Sequence, residues 1–241
     1  MTGIGILGAQ GRMGQAIAEA APAGGATVAG AIGRDSDLAG LAARSDVLVD
    51  FTSPDALAAH LAAAVDAGTP IVIGTTGLTD GHHQAIDTAA AVLPILQTAN
   101  TSIGINLLCG LVEQAARRLG RDWDIEILEM HHRHKLDAPS GTALLLGGAA
   151  NRGRGARSDT ALNRLDRPGR REEGAIHYAS LRGGSVAGDH LVIFAGEGER
   201  LELGHRAESP AIFARGAVEA AIWLHGQQPG RYTMQDVLGL G

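Results

Sequence analysis

Residues 3–14 read GIGILGAQGRMG, an apolar run that passes straight into glycines at positions 8, 11 and 14. The apolar half has the content of a buried strand, and the segment that follows, residues 12–21, has helical composition. Glycines at such a strand-to-helix turn let the backbone pass close to a pyrophosphate, and the helix N-terminus offers it unpaired N–H donors. The spacing is G-x-x-G-x-x-G rather than the commoner G-x-G-x-x-G. With 35 glycines in the chain, a plain tight turn is the competing reading. Placement at the first strand-to-helix turn favours binding, with Gly8, Gly11 and Gly14 as candidates.

The rest of the first hundred residues repeats the rhythm. Short Val/Ile/Leu runs at 26–32, 46–51, 70–73 and 92–97 suit parallel strands covered on both faces. Between them, residues 54–67 and 79–90 have helical composition, with Ser53 as N-cap, Pro54 in the first turn and Gly68 as the stop. Such alternation predicts a Rossmann-type doubly wound α/β sheet. After Ser102 the pattern changes: a helix over 103–119, a strand over 123–130, a helix over 142–150, and an Arg-, Gly- and Asp-rich loop over 151–173. Three strand-like runs follow, AIHYASLR, DHLVIFA and RLELGHRA, and then a helix over 211–225. Strands without helices between them predict antiparallel pairing. The expected organisation is a dinucleotide-binding domain of residues 1–102 plus 211–241, and a substrate-binding and oligomerisation domain of residues 103–210. The latter is of α+β type with a mostly antiparallel sheet.

Composition narrows the function. The 241 residues are 45% hydrophobic, enough for an ordinary core, and carry a net charge of −6 with 3% aromatics. Neither a basic field nor a supply of stacking rings is present for nucleic acid. Cys109 is the single cysteine, which excludes internal disulfides and thiolate clusters and reads as a small buried residue. The N-terminus lacks the layout of a signal peptide, and no apolar run approaches the roughly 18 residues of a membrane span. A soluble cytoplasmic protein without membrane or nucleic-acid partners is expected.

The second strand ends AGAIGRDSD, with Arg34 after Gly33. An arginine there can pair with a 2′-phosphate, favouring NADPH over NADH, whereas an acid such as Asp35 would suit free ribose hydroxyls. Gly74-Thr75-Thr76-Gly77 follows the fourth strand and can close over a nicotinamide or a phosphate, or simply form a turn.

Residues 129–143 read EMHHRHKLDAPSGTA. His132-x-His134 could chelate a metal, but Arg133 and Lys135 oppose a dication and no further ligand stands at a recognisable spacing, so no metal is expected. If the chain stays extended, His131, Arg133 and Lys135 point one way and His132 and His134 the other. Ser140-Gly141-Thr142 then opens a helix, with Ser140 as cap and the first N–H groups as a carboxylate cradle. A carboxylated small molecule could be pinned there with a histidine or lysine as acid. A polar turn in which Ser140 is only a cap is the alternative.

This run closely resembles the signature of the 4-hydroxy-tetrahydrodipicolinate reductase family, long called dihydrodipicolinate reductases. GILGAQGRMG, DFTSP, GTTG, ANTSIGIN, LRGGSVAGDH, GHRAE and FARGA extend the likeness over nearly the whole chain. The resemblance implies His131 as proton donor, with Lys135 as the other acid candidate. It also implies His132, Lys135, Ser140, Gly141 and Thr142 as ligands of the substrate's carboxylates. For the cofactor it implies Gly8, Arg12, Met13, Gly74, Thr76 and Asn100, with Arg34 on the phosphate. The family's fold is a Rossmann domain plus an insert whose sheet assembles a homotetramer. The chain departs from relatives at Gly33 (acidic in some), Thr101 (aromatic in some), Pro210 (often arginine), His177 (glycine) and in a shorter, arginine-rich 151–173 segment.

The expected reaction is NAD(P)H-dependent reduction of a dicarboxylate, 4-hydroxy-tetrahydrodipicolinate, to tetrahydrodipicolinate with loss of water, in lysine and diaminopimelate biosynthesis. Hydride goes to ring C4, and the proton comes from His131 or Lys135. Alternatives are another NAD(P)H-dependent imine or amino-acid oxidoreductase, or a non-catalytic nucleotide sensor on the same fold.

Overall fold

The computed structural model describes residues 1–34, 36–155, 160–161 and 169–240. Asp35 and residues 156–159 and 162–168 of the 151–173 segment, including Arg157, Arg164 and Arg167, lie outside the described residues. The chain forms two compact units, Met1–Ile103 with Ala211–Gly241, and Gly104–Pro210.

The first unit carries β1 (Thr2–Leu7), α1 (Arg12–Ala20), β2 (Ala26–Ile32), α2 (Leu38–Arg44), β3 (Val47–Asp50), α3 (Leu57–Ala67), β4 (Ile71–Ile73), α4 (Asp80–Ala90) and β5 (Pro94–Gln97). All its strands pair in parallel, in the order β2-β1-β3-β4-β5 and then a last short strand, Gly230–Tyr232, beside β5. Alternation along each strand divides the apolar side chains between two layers. Ile4, Ile6, Val47 and Val49 pack with Ile17 of α1 and with Ala214, Ala217, Val218 and Ala221 from the C-terminal helix. Leu7, Leu48, Ile71, Ile73 and Ile95 pack on the other side with Leu41, Leu57, Leu61 and Ile86. Both faces are covered, which is why these strands are continuously apolar.

Three local readings differ from expectation. Residues 54–67 do not form one helix: a 3₁₀ turn over Pro54–Ala56 precedes α3. Ser53 makes no side-chain cap bond there; its carbonyl instead accepts from the Ala56 N–H at 3.1 Å, because the tighter turn closes its own ring. Helix α2 was not legible, since LAGLAAR is too short to show a period; it is started by Asp37, whose carboxylate accepts from the Gly40 N–H at 2.8 Å.

The second unit contains α5 (Ile103–Leu119, all but its first residue), β6 (Asp124–His131), α6 (Gly141–Arg154), β7 (Thr160–Ala161), β8 (Ile176–Arg182), β9 (Gly188–Gly196) and β10 (Glu199–Ala207). The C-terminal return to the first unit is α7 (Ala211–Leu224), β11 (Gly230–Tyr232) and α8 (Met234–Val237). The sheet runs β10-β9-β6-β8-β7. The ladders β10–β9 and β9–β6 are antiparallel, but β8 joins the far edge of β6 in a parallel ladder as long as β9–β6. Consecutive β8 and β9 are therefore not neighbours. Period-two alternation fixes which face a strand buries, not which strand takes each edge. The buried face, Ile125, Ile127, Tyr178, Val192 and Phe194, packs on Leu108 and Val112 of α5 and Leu146 and Ala150 of α6. Cys109 lies in this core, where burial pushes its thiol up to about 11. Among the described residues no helix is long and apolar enough to cross a membrane.

Candidate functional site

In the first unit the chain leaves β1 toward β2 on one side and β3 on the other, so a crevice opens at the carboxyl ends of β1 and β3. Gly8 is held by its N–H on Ile32 O at 3.0 Å and accepts at its own carbonyl from the Gly11 N–H at 2.9 Å. Helix α1 comes so close that a Cβ at Gly14 would stand 2.3 Å from Gly8 O. Only glycine fits there, and the contact holds the turn and the start of α1 together.

A cavity of about 460 Å³ lies over this turn, lined among others by Gly8, Gln10, Gly11, Arg34, Thr52 and His60. It brings together Gly8, Gly11 and Arg34 of the expected residues. Arg12, Met13, Gly74, Thr75, Thr76 and Asn100 are not among its lining residues. Met13 packs toward the core. Thr75 is buried, with its hydroxyl turned to Asp50 Oδ1 at 3.3 Å, while Thr76 is exposed. Asn100 is buried in the loop after β5, where its Oδ1 accepts from the Ser102 N–H at 2.8 Å. Thr101, a departure from some relatives, donates to Phe213 O at 2.7 Å and so ties that loop to α7.

Asp50 was quoted only as the first residue of the DFTSP motif and given no role, and His60 had no signal in the sequence. Asp50 is wholly buried at the end of β3 and accepts from Thr52 N–H at 2.9 Å and Thr52 Oγ at 2.6 Å. Its other oxygen stands 2.7 Å from His60 Nδ1, which fixes that imidazole in the cavity wall. Backbone N–H groups at a helix start, an arginine at the end of β2 and an open crevice fit a nucleotide's phosphates and ribose.

In the second unit the site gathers at the end of β6. His131 is buried, and its Nδ1 lies 2.6 Å from Glu129 Oε2, two residues back on the same face. Glu129 is fully buried and receives a two-pronged contact from Arg182 of β8, at 2.9 and 2.8 Å. Burial raises the Glu129 carboxyl, but hydrogen bonds from Arg182, Ser180 and His131 outweigh it and hold the group below its usual range. The acceptor is thus a carboxylate, so His131 carries its proton on Nδ1. The other ring nitrogen, Nε2, lies beside Gly188, where a Cβ would come within 3.1 Å of it. Glycine there leaves Nε2 uncovered.

The run after His131 does not stay extended. Lys135 N–H bonds back to His132 O at 3.1 Å, so residues 132–135 turn and the expected alternation of side chains is lost. Lys135 Nζ pairs instead with Asp137 Oδ1 at 2.9 Å, and this bond is the leading cause that draws the Asp137 carboxyl down. The rings of His132 and His134 lie 6.3 Å apart, tilted by 41°; among the described residues no three His, Cys, Asp or Glu side chains gather as a metal site. Ser140 is the N-cap of α6, its Oγ accepting from the Ala143 N–H at 3.2 Å, with Gly141 and Thr142 in the first turn. Beside it stands His190 of β9, its Nε2 3.1 Å from Ser140 Oγ and its ring edge-on to His131 at 5.1 Å. His131, Ser140 and His190 are therefore linked, while Lys135 and His132 occupy the adjoining turn. Glu129, Arg182 and His190 were not singled out beforehand, although Arg182 and His190 sit at the two ends of RGGSVAGDH.

The chain matches the family models "Dihydrodipicolinate reductase, N-terminus" over residues 2–101 and "Dihydrodipicolinate reductase, C-terminus" over residues 104–238. It is 58% identical to the 4-hydroxy-tetrahydrodipicolinate reductase of Zymomonas mobilis, over 98% of this chain and 97% of that one. It is 50% identical to that of Acidiphilium cryptum, with 98% and 97% covered. Among solved structures, a dipicolinate-bound dihydrodipicolinate reductase from Paenisporosarcina sp. TG-14 superposes with a TM-score of 0.81 at 25% identity, covering 98% of each chain.

Proposed function

The chain belongs to the dihydrodipicolinate reductase family, and from that premise we propose that it reduces 4-hydroxy-tetrahydrodipicolinate to tetrahydrodipicolinate with loss of water, using a nicotinamide nucleotide, in lysine and diaminopimelate biosynthesis. The observation that carries the reading is the chain from Arg182 through the fully buried Glu129 to His131, beside the Ser140 helix start, which gives an oriented acid next to a carboxylate cradle.

A bound nicotinamide nucleotide supplies the hydride. Gly8 and Gly11 would hold its pyrophosphate, and Arg34 its 2′-phosphate, which favours NADPH over NADH. Arg12, Met13, Gly74, Thr75, Thr76 and Asn100 are assigned to the same function by their motifs, with Thr75 acting from behind the wall. In the second unit Ser140, Gly141 and Thr142 offer hydroxyl and backbone donors to one carboxylate, with the Lys135 ammonium and the His132 imidazole in the adjoining turn. Loss of water from the 4-hydroxy compound leaves a conjugated imine, and hydride added at its C4 pushes electron density toward the ring nitrogen, which takes up a proton. His131, when protonated, can deliver it from Nε2, because Glu129 accepts from Nδ1–H and so orients the ring. Lys135 is the second acid, once Asp137 shares or releases its ammonium.

We also assign the outer face of the second sheet to assembly of a homotetramer. Leu128, Met130, Leu181 and Leu191 form an apolar row there, turned away from the core, with Leu181 49% exposed.

The test is oxidation of NADPH, and separately of NADH, with and without the condensation product of pyruvate and aspartate semialdehyde. Turnover dependent on that product is expected, faster with NADPH. His131→Ala should lower turnover by about 10²–10⁴-fold while leaving nucleotide affinity near that of the parent. A variant within a few-fold of the parent would remove His131 as the acid.

A further inference from the structure

Ser140 is 1% exposed, and its Oγ has two neighbours able to bond it: the Ala143 N–H at 3.2 Å and His190 Nε2 at 3.1 Å. The first is a donor, as in any capping serine. The second is a donor or an acceptor according to the tautomer of His190. His190 Nδ1 is wholly buried, and among the described residues no protein group bonds it. If Nε2 accepted from Ser140, Nδ1 would have to carry the hydrogen, leaving a buried N–H donor unsatisfied. If Nε2 carries the hydrogen, the Ser140 hydroxyl hydrogen is left for a bound carboxylate; once that bond is made only the Nδ1 lone pair is bare, and orphaned buried N–H groups are the rarer of the two.

We propose that His190 is a positioning residue: it donates from Nε2 to Ser140 Oγ, fills the hydroxyl's remaining lone pair, and thereby forces the Ser140 hydrogen toward the bound substrate carboxylate. Among the described residues the hydroxyl then has no protein acceptor, so its hydrogen is left for the ligand's carboxylate. Two features hold the imidazole in this role. Strand register sets His190 directly opposite Glu129, with His205 of β10 on its other side. Its ring is edge-on to His131, 5.1 Å away at 76°. Burial, followed by the neighbouring His131, pushes its pKa down to about 4, so it is neutral under ordinary conditions. The inference rests on the reading of Ser140 as a carboxylate ligand.

The decisive measurement is on the unmodified full-length protein: long-range ¹H–¹⁵N correlation spectra with ¹⁵N-labelled histidine, with the His190 signal assigned by its loss in His190→Gln. A protonated Nε2 and a bare Nδ1 are expected, and the opposite tautomer overturns the proposal. Kinetics provide the second arm. His190→Phe, which keeps a ring but no donor, should raise the substrate KM about tenfold, the worth of one good hydrogen bond, with NADPH affinity within twofold of the parent. His190→Gln, whose amide can donate, should recover most of that loss, and in a Ser140→Ala background His190→Phe should add little. Equal losses in the Phe and Gln variants, or full additivity with Ser140→Ala, would make His190 a packing residue and sink the proposal. If the parent itself failed to turn over the substrate, the functional reading would fall, while the tautomer would still decide the state of His190.

Discussion

At the scale of single residues, Arg182 holds the buried Glu129 carboxylate and Glu129 in turn holds Nδ1 of His131. His131 and Ser140 stand out because the signature concentrates protonatable groups before a helix start. Arg182, 53 positions from Glu129, could not be paired with it by spacing, and Asp50 looked like the end of an apolar strand. What turns each into part of a site is burial: a carboxylate with no access to water must find donors, and those donors define the geometry. Arg34 is the residue whose role is cleanest to test. It is exposed and lines the nucleotide cavity, so Arg34→Ala removes charge without opening the core. NADPH should bind roughly tenfold more weakly, the cost of one charge-assisted contact partly screened by water, with NADH affinity unchanged. Fluorescence titration of both nucleotides reads this directly. Parallel losses for both would assign Arg34 to the pyrophosphate or to no phosphate at all.

Elements were legible wherever their pattern was long. The strand β2 and the helix α5 fall where the composition placed them. By contrast α2, the 3₁₀ turn before α3 and the short β11 are too brief to carry a period. The alternation in β6 has a further consequence. Ile125, Ile127, Glu129 and His131 are buried, so Leu128 and Met130 must face outward, and register aligns Met130 with Leu181 of β8. A sheet with one face on the core and an apolar row on the other is suited to association through that second face. Leu181→Arg should therefore lower the mass seen by sedimentation velocity from that of a tetramer toward smaller species, with the far-UV spectrum retained. A parent that sediments as a monomer, or a variant that stays tetrameric, would remove this face from assembly.

At the scale of the whole molecule, the buried ionisable groups set its response to acid. His190 binds its proton near pH 4 in the fold but near 6.5 when unfolded, so its contribution is fully present above about 6.5 and is lost as pH falls toward 4. The magnitude is roughly 3 kcal/mol, taking about 1.4 kcal/mol for each unit of displacement. Glu129 acts in the same direction at lower pH: its folded value lies below the ordinary one, so its stabilisation holds above about 4.5 and vanishes as the carboxylate is protonated. His205, also drawn down by burial, adds to the same slope. Thermal unfolding from about pH 7 down to about pH 4 should show Tm falling steadily, and less steeply in His190→Phe. A flat profile for the parent would contradict the buried, neutral state of His190.

The sequence by itself determined the alternation of strands and helices in the first unit, the glycine turn after β1 and the type of chemistry in the HHRHK–SGT run, because these are local: they follow from period, turn residues and side-chain type over a dozen positions. Only the tertiary structure decided that β6, not β8, pairs with β9, that the chain turns after His131, and that Glu129, Arg182 and His190 close around the imidazole. Strand neighbours and buried ion pairs are chosen by the balance of packing and desolvation across distant segments, and no single stretch of the chain carries that balance.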